Sequence, residues 1–305
     1  MPAFALRLGL AAGSLLLAAS AYAGTATSNG ASSGVTVYAA GDIARCPYPD
    51  PAYSRAAETA RTVAAGLAAD PRAVVLTLGD HTYPYGRAGE FSDCYDPTWG
   101  RFKDRTWPAP GNHEYYTPKA APYFAYFGER AGRGYYSLEL GSWHIVSLDS
   151  NLAPAEHAAQ LEWLRADLAA HPARCTLAFW HHPLYSSGGH GSIPKMRDAW
   201  RLLQDAGAEL VLSGHDHDYE RFAPQDADGR LDRAHGMRQF VVGTGGAYPT
   251  PFLLTVDNSE MRDSGRTGVL RLRLLDGRYE WEFLESDRLT TLGLPEPDRG
   301  SEPCH

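Results

Sequence analysis

Asp42, Asp80, Tyr83, Asn112, His181, His215 and His217 offer two carboxylates, a phenol, an amide oxygen and three imidazoles. They come from five separate segments, each next to a glycine or at the end of an apolar run. A donor set of mixed oxygen and nitrogen suits iron, zinc or manganese, and the lack of a cysteine in it argues against a soft thiolate site. Two further histidines accompany the set. His113 directly follows Asn112, and His190 lies in the loop Ser186-Ser187-Gly188-Gly189-His190. Both are expected at the rim of the site, free to act on a ligand. Glu114 is placed to orient His113, as carboxylates commonly do for functional imidazoles.

The motifs, in order, are Gly41-Asp42, Gly79-Asp80-His81-Thr82-Tyr83, Gly111-Asn112-His113-Glu114, His181-His182-Pro183-Leu184-Tyr185 and Gly214-His215-Asp216-His217. This series resembles the calcineurin-like metallophosphoesterases, and within them the purple acid phosphatases, over about residues 35–250. The resemblance implies two metal ions. Asp42, Tyr83 and His217 would bind the first, Asn112, His181 and His215 the second, and Asp80 would bridge them. It also makes His182 the variable neighbour of the ligand His181. Many members carry Asp-x-His in the first motif. Here that histidine slot is Ala44, where the purple enzymes usually have glycine. Alanine cannot ligate, so Tyr83 is expected to supply the missing donor. A phenolate is a hard anion, so Fe(III) is expected at the Tyr83 site, with Zn, Mn or Fe(II) at the other. The Asp-Arg-Gly of protein phosphatases is absent, and Tyr83-Pro84-Tyr85-Gly86 stands in its region.

The implied activity is hydrolysis of small phosphate monoesters. Two cations neutralise phosphate charge and generate hydroxide near neutral pH, and that hydroxide attacks phosphorus. His113 would assist the leaving group, and His190 would contact substrate. Gly191 replaces a second histidine that plant-type members often carry there. A phosphodiesterase or nucleotidase on the same metals is the competing reading. A catalytically dead binding protein would be expected to have lost ligands, and none is missing. His81 is expected to be an exposed loop residue. Gly243-Thr244-Gly245-Gly246 reads equally as a phosphate cradle or as a tight bend passing the site.

The elements that must position these residues are short apolar runs ending in the polar motifs. Val35–Ala40, Ala73–Leu78, Thr176–Trp180 and Glu209–Leu212 read as strands buried on both faces. Trp143–Leu148 and Gln239–Val242 are further strands, and Asp276-Gly277 joins a hairpin of 268–275 and 278–284. Helices are expected over 53–69, 155–170 and 194–206. The alternation predicts an α/β fold with a more antiparallel end. The resemblance makes it a four-layer α/β/β/α sandwich, with mixed sheets flanked by helices. In such sheets ligands bind beyond the carboxyl ends of the strands, which is where the motifs fall.

The 305 residues, 44% hydrophobic, suffice for one large domain, expected over 35–305. A net charge of −8 gives no basic stripe for nucleic acid. Residues 1–23 have a short basic start, an apolar core and Ala21-Tyr22-Ala23, and are expected to be a cleaved signal peptide. Residues 24–34 read as a flexible segment. The product is expected to be secreted or periplasmic, with no membrane span. The oligomeric state is left open. Four cysteines in an oxidising compartment permit three pairings. Cys46 and Cys94 both follow motif loops, which favours joining them and leaves Cys175 with Cys304.

Overall fold

The computed structural model describes residues 1–3, 34–46, 50–286 and 296–305. The chain divides into two units, Met1–Ala31 and Ser32–His305. Among the described residues, every strand and helix belongs to the second unit. The signal-peptide and flexible-segment expectations fall almost wholly on residues outside the described set. No helix among the described residues is long and apolar enough to cross a membrane.

In chain order the strands are β1 (Val35–Ala40), β2 (Ala44–Arg45), β3 (Val74–Leu78), β4 (Thr82–Tyr83), β5 (Thr106–Ala109), β6 (Tyr136–Leu140), β7 (Trp143–Ser147), β8 (Cys175–Phe179), β9 (Leu210–Ser213), β10 (Tyr219–Phe222), β11 (Arg238–Val242), β12 (Ser259–Asp263), β13 (Gly268–Leu275), β14 (Arg278–Glu285) and β15 (Arg299–Pro303). The helices are α1 (Arg55–Ala69), the single turn α2 (Ala88–Glu90), α3 (Ala121–Phe127), α4 (Pro154–Ala170) and α5 (Arg197–Asp205). One sheet has the order β15-β14-β13-β1-β3-β5, the other β12-β10-β11-β9-β8-β7-β6, and β2 with β4 forms a small pair. Strands β1, β3 and β5 run parallel, as do β7, β8, β9 and β11. The small β2–β4 pair is also parallel, and the remaining neighbours in the two large sheets are antiparallel, among them the 268–285 hairpin and the tail strand.

Alternation along the strands divides the core. Ile145, Leu177, Phe179, Leu210 and Leu212 belong to one buried cluster with Val37, Ala39, Val75 and Leu270 of the facing sheet. Their neighbours Val146, Ala178 and Val211 turn the other way, into a second cluster with Leu164 of α4 and Trp200 and Leu203 of α5. Each strand thus buries both faces, which is why the runs are apolar throughout. Helix α1 covers the outer side of the first sheet. The Ser54 hydroxyl caps it by accepting from the Ala57 amide at 3.2 Å. It buries Ala56, Ala60, Val63 and Leu67, a single helical face. The result is the expected helix–sheet–sheet–helix layering.

Cys46 is bonded to Cys94, and Cys175 to Cys304. The second bond ties the first residue of β8 to the residue after β15, so it joins the two sheets.

Candidate metal centre

The carboxyl ends of the parallel strands gather at one end of the molecule. The Gly41 amide donates to Val242 O, the Asp42 amide to Gly79 O and the Gly214 amide to His181 O. These crossings bring the loops after β1, β3, β8, β9 and β11 together, and with them the motif side chains.

Two donor groups result, sharing Asp80. In one, Tyr83 Oη lies 2.7 Å from Asp42 Oδ1, 3.0 Å from His217 Nε2 and 3.2 Å from Asp80 Oδ2. His217 Nε2 is 3.3 Å from Asp42 Oδ1. In the other, His181 Nε2 lies 3.0 Å from Asn112 Oδ1, 3.2 Å from His215 Nδ1 and 3.3 Å from Asp80 Oδ2. Asp80 Oδ2 therefore stands between a phenol on one side and an imidazole on the other. All seven sequence-expected donors fall within these two groups.

Backbone carbonyls fix the imidazoles. His181 Nδ1 lies 2.8 Å from Leu78 O, His217 Nδ1 2.8 Å from Tyr248 O and His113 Nδ1 2.7 Å from Pro84 O. With Nδ1 held by a carbonyl, each ring turns its Nε2 toward the centre. These acceptors are backbone atoms, so no residue type announces them in the sequence.

The backbone at the site is strained. Asp42, Asp80 and His215 have φ of 59°, 49° and 73°, a region that non-glycine residues seldom enter. Two glycines permit the close crossings. A Cβ at Gly111 would meet Asp80 Oδ1 at 2.1 Å, and one at Gly243 would meet Asp216 O at 1.9 Å. The Gly245 amide donates to Gly41 O, so the 243–246 segment is a tight bend that locks loops together.

The electrostatics call for cations. Asp42 and Asp80 are buried, and the ion-pair partners they have among the described residues are imidazoles alone. Buried charge needs compensation. Burial pulls the His181 imidazolium down, yet Asp80 and its hydrogen bond outweigh this and hold His181 at about 10. A proton on His181 thus supplies positive charge beside the carboxylates. Burial and that neighbouring charge push His215 and His182 down to about 3. Burial, then Asp42 and Asp80, raise the Tyr83 phenol well above its ordinary value. Cations between these groups would satisfy both carboxylates and favour the phenolate, so the donor set fits two metal ions.

Several side chains sit differently from the sequence reading. Glu114 does not orient His113. Its buried carboxylate accepts from the amides of Gly111 at 2.7 Å and of Asp80 and His81 at 2.9 Å, so it shapes the loops that carry Asp80 and Asn112. Pro84 O holds the His113 ring, whose Nε2 lies 3.7 Å from Asp80 Oδ2. His81 is buried rather than exposed, packed against Phe127, Tyr95 and Tyr123 with Nε2 2.8 Å from Thr77 Oγ1. His182 has Nδ1 2.8 Å from Ser150 Oγ, and its ring nitrogens also come close to those of His181 and His215. His190 reaches the mouth of the site, its ring 4.6 Å from that of His215. The residue that carries it, Asp216, was missed in the sequence because it reads as a spacer between two histidines.

The calcineurin-like phosphoesterase family model matches residues 35–219. Purple acid phosphatase 15 of Arabidopsis thaliana is 31% identical over 188 residues, covering 48% of this chain and 35% of that protein. Purple acid phosphatase 21 of the same plant is 28% identical over 271 residues, covering 76% and 59%. The chain thus spans between about a third and three fifths of these relatives' lengths. The fold is similar to that of the purple acid phosphatase PPD1 from yellow lupin seeds, with a TM-score of 0.69 at 19% identity, covering 87% of this chain and 53% of that one. The matched span holds β1 to the start of β10 and all seven donors, and the chain belongs to the calcineurin-like phosphoesterase family.

Proposed function

We propose that the protein is a two-metal hydrolase of phosphate monoesters of the purple acid phosphatase type. The observation that carries this reading is Asp80 Oδ2, 3.2 Å from Tyr83 Oη and 3.3 Å from His181 Nε2, a position suited to a carboxylate shared by two cations. Asp42, Tyr83 and His217 would hold the first metal, and Asn112, His181 and His215 the second. His181 rather than His182 is the ligand, because its Nε2 faces Asn112 and Asp80. Fe(III) at the Tyr83 site, with Zn, Mn or Fe(II) beside it, follows from the hard phenolate donor.

When bound, the two cations supply Lewis acidity toward phosphoryl oxygens and a nucleophile from water near neutral pH. The protein's residues do the rest. Pro84 O aims His113 so that its Nε2 faces the site, where it donates to the phosphate or the leaving oxygen. Asp216 holds His190 over the other side of the opening, where it contacts substrate. Substrates are small phosphate esters. The two disulfides support an oxidising compartment, so the protein is secreted or periplasmic.

The test is metal analysis with a visible absorption spectrum, on wild type and Tyr83→Phe, beside rates on simple monoesters and diesters. Iron with a charge-transfer band that vanishes in the variant, and faster monoester hydrolysis, are expected. Active, colourless zinc or manganese protein sinks the iron assignment. Faster diester hydrolysis sinks the monoesterase reading, and no hydrolysis in metal-loaded protein at any pH sinks the enzyme.

A further inference from the structure

A second cluster of metal-binding side chains lies at the other end of the second sheet. Strand β7 runs from Trp143 to Ser147 toward the candidate centre, so His144 sits near its far end. Its antiparallel partner on β6 is Glu139. The last turn of α4 brings Asp167, and His171 is the residue after that helix.

The contacts are short and convergent. His144 is buried, with Nε2 2.9 Å from Asp167 Oδ2 and Nδ1 2.7 Å from Glu139 Oε1. His171 Nδ1 is 3.4 Å from Asp167 Oδ1, and its ring stacks on that of His144 at 5.2 Å and 12°. Ser137 Oγ donates to Asp167 Oδ1 at 2.7 Å and fixes the carboxylate. One ligand atom from each of His144, Asp167 and His171 lies within 4.8 Å of the others.

We propose that His144, Asp167 and His171 form a zinc-class metal site separate from the candidate catalytic centre. Donors bound tetrahedrally at about 2.0–2.1 Å from zinc lie about 3.3 Å from one another. His144 Nε2 lies 2.9 Å from one Asp167 oxygen and His171 Nδ1 3.4 Å from the other, so both rings already stand beside the carboxylate that a metal would share with them. Binding replaces the proton between His144 Nε2 and Asp167 with the metal and releases that proton to solvent. Glu139 then accepts from His144 Nδ1–H, which is the carboxylate–histidine–metal arrangement that fixes a ligand's ring. His171 Nδ1 lies 3.0 Å from Asp167 O and must turn to ligate. Its side chain is 48% exposed beyond the end of α4, so it is free to do so. Water completes the coordination. Imidazole and carboxylate donors favour Zn(II), with Cu(II) and Ni(II) as competitors. The site clips the β6–β7 hairpin at the sheet edge to the end of α4, and its role is to stabilise that edge.

The experiment is zinc uptake by the protein as isolated, measured by dialysis and elemental analysis, with melting curves with and without zinc. Wild type, His171→Ala and His144→Gln are compared. Wild type is expected to bind one zinc more per chain than either variant, and zinc is expected to raise its Tm by several degrees more. His171→Ala removes an exposed side chain, so it should fold and hydrolyse phosphate esters at the wild-type rate. Equal zinc uptake and an equal Tm response in wild type and His171→Ala would show the cluster to be a hydrogen-bonded ion pair and overturn the site.

Discussion

Asp216 Oδ1 receives both hydrogen bonds that His190 can direct to it, from its backbone amide at 2.7 Å and from Nδ1 at 3.0 Å. The other carboxylate oxygen accepts from Ser186 Oγ at 2.5 Å and from the Gly191 amide at 3.2 Å. One buried side chain therefore holds the whole 186–191 loop over the site.

Asp216→Asn should raise KM about tenfold, the scale of one lost charge-assisted hydrogen bond. The metal content should be unchanged. The Asp216 hydrogen bond is also the main reason the His190 pKa is raised. The variant's His190 therefore loses its proton at lower pH, and the alkaline rise in KM should begin at lower pH than in wild type. A KM–pH profile identical to wild type would show that His190 does not act on substrate.

Chelation should lower thermal stability, and restored metal should raise it again by an amount that grows with the free metal concentration, as mass action requires. In metal-free protein the ion-pair partners of Asp42 and Asp80 among the described residues are imidazoles. Tyr83 should stay protonated in it through mildly alkaline pH, since burial and both carboxylates raise its pKa. Ultraviolet difference spectra during chelation and reloading check this. A tyrosinate signal persisting in the metal-free protein at neutral pH would contradict it.

The two disulfides should separate stability from activity. Cys175 and Cys304 are 129 residues apart, and a loop of that order stabilises by roughly 2–5 kcal/mol. Replacing both with serine should cost about that in denaturant melts, with kcat retained. Cys46 is different, because its amide donates to Tyr83 O at 3.3 Å and Arg45 pairs with Tyr83 in β2–β4. Replacing Cys46 and Cys94 should therefore weaken binding at the Tyr83 metal site and lower kcat, even where the fold survives.

Glu209 gives a pH dependence away from the site. Burial, with Glu302 adding to it, raises this carboxyl to about 8 despite the His305 amide. The His305 imidazole is held below its usual pKa, chiefly by burial. At neutral pH the 2.7 Å contact between them is therefore a carboxylic acid donating to a neutral ring. The folded pKa lies above the unfolded one, so the stabilisation is complete below the ordinary carboxylate range and fades as pH rises toward 8. Glu209→Gln should flatten that decline. Melting temperatures of both proteins from pH 5 to pH 9 check it.

The central strands were legible because they are buried on both faces, and continuous apolar runs mark them without a helix's periodicity. The edge strands were not. β12 reads Ser-Glu-Met-Arg-Asp and β15 Arg-Gly-Ser-Glu-Pro, and such polar edges protect a sheet from pairing with other chains at the cost of any hydrophobic signal. β5 contains Pro108, which argues against a strand when read locally. At the site, the donors were visible as residue types beside glycines. What aims them was not. The carbonyls of Leu78, Pro84 and Tyr248 have no side-chain signature. Glu114 and Asp216 were misplaced or passed over because their partners are amides brought together by the fold.

The positive φ angles at Asp42, Asp80 and His215 set these positions against the rest of the sequence. Glycine would adopt each of them without steric conflict, and relief of such strain is worth on the order of 1 kcal/mol per site. Thermostability screening of metal-free protein would therefore reward the replacements that abolish the centre. Libraries built on this chain should be selected with metal present, or with these codons held fixed.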